Sequence, residues 1–192
     1  MCFRRGITGR GSPGEAAWAA ASVGRSRKVS EVVVVRARAG ESYEPGLLAL
    51  REGPALESAV RALPETPDVL LVNATGRDHP RRAGLAHHLG ALLDLPTIGV
   101  THRALLADGE WPANERGASS PLYVGDEIVG AWLRTRAGAR PIAVHAAWRT
   151  DVETGVGVVM GACRRARTPE PLRRARRAAR LARAGLVQPH PS

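Results

Sequence analysis

The chain has 192 residues, with 28 Lys or Arg against 18 Asp or Glu and a formal charge of +10. That length fits one ordinary domain with an extension, and 44% apolar with only 4% aromatic residues implies a core of Val, Leu, Ile and Ala. No apolar run reaches the ~18 residues a membrane helix requires, and Cys2 and Cys163 are too isolated for a disulfide framework or a cysteine metal site. The basic excess, in which Lys28 is the only lysine, favours polyanionic partners through counterion release; a solvated, Arg-rich surface is the competing reading.

Met1–Gly14 is rich in Gly and Arg and carries no hydrophobic period. The alanine-rich Glu15–Val23 is followed, not preceded, by Arg25, Arg27 and Lys28, the wrong order for a signal peptide. A soluble, cytoplasmic protein acting as a monomer is expected, with no membrane partner. Val29–Val35 contains four consecutive valines and predicts a strand. After the turn-like Glu44-Pro45-Gly46, Leu47–Leu50 is apolar, and Pro54 suits the first turn of a helix. Leu56, Val60 and Leu63 recur at i, i+4, i+7 and predict one buried helical stripe.

Val69–Val72 is wholly apolar, as in a strand in the middle of a covered sheet. Arg82–Leu93 is helical in pattern, with Leu85, Leu89 and Leu92 or Leu93 inward, and Pro96 stops it. Thr97–Val100 reads as a buried strand. Pro121–Val124 and Glu127–Leu133 form a hairpin around Gly125-Asp126, and Pro141–Ala146 a further strand. Thr150-Asp151-Val152-Glu153 has the form of a capping box for a helix running toward Arg164; Gly155, Gly157 and Gly161 weaken that helix unless packing holds it. From Arg164 onward Arg and Ala dominate, with a basic helix expected over Leu172–Ala184. Residues 1–28 are thus expected to be a disordered or atypical segment, 29–165 the folded domain, and 166–192 a basic Arg/Ala-rich tail. Strands alternating with helices make the domain α/β.

Tyr43-Glu44-Pro45-Gly46-Leu47-Leu48-Ala49-Leu50-Arg51-Glu52 resembles the endonuclease V signature Y-x-P-G-x-L-A-F-R-E. Leu70-Leu71-Val72-Asn73-Ala74-Thr75-Gly76-Arg77-Asp78-His79-Pro80-Arg81-Arg82 is similar to that family's L-L-V-D-G-x-G-x-A-H-P-R-R. Gly84–Gly90, Leu95–Val100, Gly130–Arg136 and Trp148–Thr154 continue the likeness, so that it covers roughly Ser30–Pro171 in order.

The resemblance implies an RNase H-like α/β fold, a mixed sheet flanked by helices, and cleavage of damaged DNA one phosphodiester beyond deoxyinosine. It also implies Mg²⁺ (Mn²⁺ as a substitute) held by converging carboxylates, which polarise the phosphate and generate hydroxide. The implied carboxylates are an Asp on the first, central strand, Glu52, the residue at 73 and Asp151. His79 and the residue at 102 would support the phosphate. Tyr43 would stack as a wedge beside the flipped base, with Gly46, Arg81, Arg82 and His88 also facing nucleic acid. Tyr43, Glu52, His79, His88 and Asp151 match the family. Asn73 stands where it has Asp, His102 where it has Lys, and Trp148 where it has His.

The first-strand Asp has no counterpart, since no aspartate precedes Asp68 and Glu31 sits too close to Tyr43. The first central strand is therefore expected to be missing or replaced, which opens the sheet unless Met1–Val23 refills the place. An Asn oxygen is a neutral, weaker ligand for a hard dication, so metal binding is expected to be weak or absent. Three functions are compatible: a Mg²⁺-dependent repair endonuclease, a catalytically inactive relative that still binds nucleic acid through Tyr43, His79, Arg81, Arg82 and the tail, and a decayed or mis-started gene product that folds poorly.

Overall fold

The computed structural model describes residues 2–3, 11–25 and 28–190. In chain order its elements are β1 (Cys2–Phe3), β2 (Ala16–Arg25), β3 (Lys28–Arg38), α1 (Leu48–Arg61), β4 (Leu70–Val72), α2 (Leu85–Leu93), β5 (Thr97–Thr101), β6 (Ser119–Val124), β7 (Glu127–Leu133), β8 (Ile142–Ala146), α3 (Val152–Ala162) and α4 (Glu170–Arg183). The chain divides into two compact units, residues 1–66 with 171–192, and residues 67–170.

In the first unit β1, β2 and β3 form an antiparallel sheet in that order. Ala17, Ala19, Ala21 and Val23 point inward from β2 at every second position, the period of a half-buried strand. Residues 16–25 therefore form a strand, with one irregularity of register between Val23 and Gly24, where 1–28 was expected to be disordered or atypical. The expectation for Met1 and residues 4–10 lies outside the described residues. Helix α1 packs on β2 and β3, with Leu56, Val60 and Leu63 closing over a core of Ala19, Ala21, Val33, Val35, Ala55 and Ala59.

Helix α1 begins six residues before Pro54, which lies inside it, not at its first turn as the sequence suggested. Proline has no N–H to give the Leu50 carbonyl, the fault that normally breaks a helix. Here the Glu41 N–H supplies that carbonyl at 3.3 Å, and the Gly40 N–H supplies the next one, Arg51, at 3.0 Å. Residue 40 must be glycine for this approach, because a Cβ there would run into the Leu50 carbonyl oxygen. The incoming chain thus repairs the helix that the proline would break.

The second unit holds a five-stranded mixed sheet in the order β4-β5-β8-β7-β6, parallel only between β4 and β5. Strand β4 is its edge, not the mid-sheet strand its composition suggested. The described strands form two sheets, and β2 pairs with β3 and β1, not with β4. Helix α2 packs on β4 and β5, and α3 on β7 and β8. Leu85 and Leu89 are buried as expected, and of the Leu92/Leu93 alternatives Leu93 is the half-buried one, with Leu92 47% exposed. Gly155 of α3 faces Val144 and Ile98, which is the packing that its low helix propensity requires. No helix among the described residues is long and apolar enough to cross a membrane.

Candidate functional site

The loop from Asn73 to Gly84 joins β4 to α2 and carries most of the motif residues. Two glycines allow it to lie flat on the sheet. A Cβ on Gly99 of β5 would meet the Ala74 carbonyl oxygen, and one on Gly76 would meet that of Ala146 at the end of β8. The Arg77 N–H donates to that same Ala146 oxygen at 3.1 Å, and the Gly84 N–H closes the loop onto the Gly76 carbonyl at 2.8 Å.

Within this frame Asn73 is exposed at the strand end. His79 is buried, and its Nδ1 accepts the Arg81 N–H at 3.2 Å, the geometry of a neutral ring whose proton is on Nε2. Arg81 and Arg82 are exposed. Arg82 takes the left-handed backbone (φ 54°) and reaches the β6–β7 hairpin, donating to the Val124 carbonyl at 3.2 Å and pairing with Glu127 at 3.5 Å. His88 is exposed on α2, and His102, past the end of β5, lies 3.1 Å from the Thr168 hydroxyl.

One residue of the loop was not singled out by its sequence. Asp78, where the family motif has Ala, is fully buried and its carboxylate accepts three backbone N–H groups, from Leu105 (2.6 Å), Leu106 (2.7 Å) and Ala107 (2.8 Å). It thereby fastens the Asn73–Gly84 loop to the loop that follows His102. His145 of β8 lies beside it, Nδ1 3.7 Å from Asp78 Oδ2, with Nε2 2.8 Å from the Thr101 hydroxyl. Burial lowers the His145 pKa to about 4 despite the opposing pull of Asp78. The signal available was an acid in a position the motif reserves for a small residue; its partner lies too far along the chain for local pattern to reveal.

Asp151 is the N-cap of α3. Its Oδ1 accepts the Thr154 N–H at 2.8 Å and its Oδ2 the Thr154 hydroxyl at 2.7 Å, and these bonds hold the carboxyl below its ordinary pKa. The cap is therefore Asp151, one residue beyond the Thr150 of the expected capping box. Thr150 is not the cap; its hydroxyl donates to the Thr97 carbonyl at 2.6 Å and accepts the Ala147 N–H at 3.1 Å. Because Asn caps a helix as well as Asp does while Ala does not, Asp151→Asn is expected to melt with the wild type and Asp151→Ala below it, as followed by circular dichroism. Equal losses in both would show that the charge, not the cap, holds the helix start.

Trp148 packs edge-on against His87 with ring centroids 5.6 Å apart. Burial, with Arg77 nearby, lowers the His87 pKa.

Tyr43, Gly46 and Glu52 belong to the other unit. Tyr43 is 43% exposed, and Gly46 has φ +77°, a conformation that other residues rarely adopt. Glu52 is half-buried on α1, and burial raises its pKa against the opposing charge of Arg51. Among the described residues no three His, Cys, Asp or Glu side chains gather as a metal ion would need. Asn73 is a neutral donor, weaker than an aspartate toward a hard dication, and each Asp151 oxygen accepts one bond of the helix cap.

Comparison with known proteins gives one answer throughout. The sequence matches the Endonuclease V family over residues 8–177. It is 43% identical over 150 residues to an Endonuclease V of Roseiflexus sp. (strain RS-1), covering 78% of this chain and 68% of that one. It is 44% identical over 146 residues to that of Alkalilimnicola ehrlichii, covering 76% and 64%. The fold is similar to the crystal structure of the Streptomyces avermitilis Endonuclease V, with TM-score 0.73, 34% identity and coverage of 91% and 86%. The catalytic domain of human Endonuclease V gives TM-score 0.78, 31% identity and coverage of 96% and 81%. A Ciona intestinalis Endonuclease V, solved with a 23mer DNA containing an inosine followed by a ribo-adenosine, shares the fold at TM-score 0.72 and 19% identity, with coverage of 90% and 86%. On sequence and fold together, this chain belongs to the Endonuclease V family.

Proposed function

We propose that this protein recognises deoxyinosine-containing nucleic acid and cleaves its phosphodiester backbone far more slowly than relatives with the full set of acids. The observation that supports this reading is the unequal fate of its motifs. The Asn73–Gly84 loop keeps a closed, hydrogen-bonded frame that displays Arg81 and Arg82, whereas Asn73 brings no charge and Asp151 commits both oxygens to α3. In this reading Tyr43 stacks in the gap beside the displaced base, and Gly46 allows close backbone approach. His79, His88, His102, Arg81 and Arg82 face the phosphate backbone. Glu52, Asn73 and Asp151 remain the positions where Mg²⁺ or Mn²⁺ would be held. The second reading, a working metal-dependent endonuclease, draws on the retained Arg51-Glu52 pair of the motif.

The test uses two matched duplexes, one with a single deoxyinosine, and a family member assayed in parallel. Tighter binding to the deoxyinosine duplex is expected, with cleavage in Mg²⁺ or Mn²⁺ at least ~100-fold slower than the parallel enzyme, since outer-shell ligand losses alone cost about 10–100-fold. Asn73→Asp is expected to raise the cleavage rate. Cleavage at the parallel enzyme's rate would establish the second reading, and equal binding to both duplexes would defeat the first.

A further inference from the structure

Helix α4 runs over Glu170–Arg183 and carries six arginines and a single acid, Glu170. Its other face is alanine: Ala179 and Ala182 are buried, and Ala175 and Ala178 half-buried. At ~100° per residue, Arg173, Arg176, Arg177 and Arg180 fall within an arc of about 100° on the opposite side, and all four are exposed.

Both ends of the helix are fastened within the first unit. Ser22 of β2 donates its hydroxyl hydrogen to the Pro171 carbonyl at 2.9 Å. Beyond the helix, the His190 N–H donates to the Val34 carbonyl of β3 at 2.7 Å. The C-terminus itself is closed by a Schellman motif, with the Leu186 N–H on the Leu181 carbonyl at 3.0 Å, the Gly185 N–H on Ala182 at 3.0 Å, and Gly185 at φ +75°. The arginine face is therefore displayed by a fixed element.

We propose that the exposed arginine face of α4 is a binding surface for the sugar-phosphate backbone of a nucleic acid. Arginine presents a planar fork of donors suited to phosphate oxygens. From Arg173 to Arg180 the helix advances about 10 Å, which spans about three phosphates of one strand at ~3.4 Å of rise each. The same arginines could be drawn to an anionic membrane. An amphipathic helix binds there by burying an apolar face in the lipid boundary, and the face of α4 that lacks arginine is small and already covered by the fold. Nucleic acid is the occupant the charge and the packing favour.

This inference rests on the nucleic-acid reading above but not on deoxyinosine recognition, so the two can fail separately. Binding of the full chain to a duplex of about 24 base pairs, long enough for two turns of B-DNA, is measured by anisotropy across a KCl series, with and without one deoxyinosine. The proteins are the wild type, R176Q/R177Q/R180Q and R176K/R177K/R180K. The Gln variant is expected to bind both duplexes at least ~10-fold more weakly and to lower the slope of log affinity against log salt by about two to three, roughly one for each phosphate left without its arginine. The ratio of affinities for the two duplexes should not change, and the Lys variant should keep most of the slope. Circular dichroism shows whether the variants stay folded; a Gln variant that unfolds is replaced by the three single substitutions, each expected to lower the slope by about one. Unchanged slope and affinity in folded Gln variants would overturn the proposal. So would a loss confined to binding of vesicles containing phosphatidylserine. Equal affinity of the wild type for the two duplexes would instead count against deoxyinosine recognition and leave the helix surface standing.

Discussion

Replacing Arg51 with Met is expected to lower the unfolding free energy by roughly 3–5 kcal/mol, the cost of leaving one member of a buried ion pair uncompensated. Arg51 and Glu15 are 6% and 5% exposed and lie 2.5 Å apart. Arg51 also donates to the Glu41 carbonyl at 3.0 Å, so it joins α1 to the strand-entry segment on one side and to the Tyr43 loop on the other. Glu15 Oε1 makes no hydrogen bond, so removing the guanidinium leaves the buried carboxylate without its charged partner. Well-packed apolar replacements of both partners are often neutral or stabilising. The double variant Glu15→Leu/Arg51→Met is therefore expected to regain most of what Arg51→Met loses. Urea unfolding at pH 7 measures both. A single variant within ~1 kcal/mol of the wild type would show that the pair carries no buried charge.

Stability is expected to fall by about 3 kcal/mol as pH drops from 7 toward 4, through His145 alone. The direction follows from its surroundings. The Thr101 hydroxyl donates to the Arg103 carbonyl at 2.6 Å, so at 2.8 Å it can only accept from His145 Nε2–H. Nδ1 has no hydrogen-bond partner, and Asp78 Oδ2, 3.7 Å away, is an ionic partner only for a protonated ring. Burial keeps the folded ring neutral down to a pKa of about 4, whereas an unfolded histidine takes up its proton near about 6.5. The contribution is complete above that unfolded value and is lost between about 6.5 and 4, where only the unfolded chain is protonated. Urea midpoints at pH 7.5 and 5 test it, with His145→Gln expected to lose less over the same interval. Equal pH dependence in the two proteins would place the proton uptake elsewhere.

The parts of this fold that could be read from sequence are those fixed by neighbours along the chain. The Gly125-Asp126 hairpin, the valine strand and the Thr97–Val100 strand declare themselves by local period and turn residues, and all three are present. Strand β2 escaped because its inward positions are mostly alanine, which carries little strand preference although it alternates faithfully. Pro54 misled because the rule for proline assumes the preceding carbonyl goes unanswered, and here Gly40 and Glu41 answer it. The motifs singled out Tyr43, Asn73, His79 and Asp151 as candidates. Nothing local distinguishes an aspartate that caps a helix from one that holds a metal, because one aspartate at that place suits either role. The pairing of Asp78 with His145 was invisible for the opposite reason: Asp78 departs from the motif, but only the fold makes the two neighbours.

The repaired start of α1 carries a consequence for the loop above it. Residues 40 and 41 are hydrogen-bonded to the helix, the Glu41 carbonyl is held by Arg51, and Glu44 and Leu47 close a turn at 3.0 Å. Fixing a backbone residue costs about 1–2 kcal/mol of entropy, and for this segment that loss accompanies folding rather than ligand capture. The backbone on either side of Tyr43 is therefore already tied down in the folded chain, so on the proposed reading a base stacked on its ring would be met with less ordering left to pay.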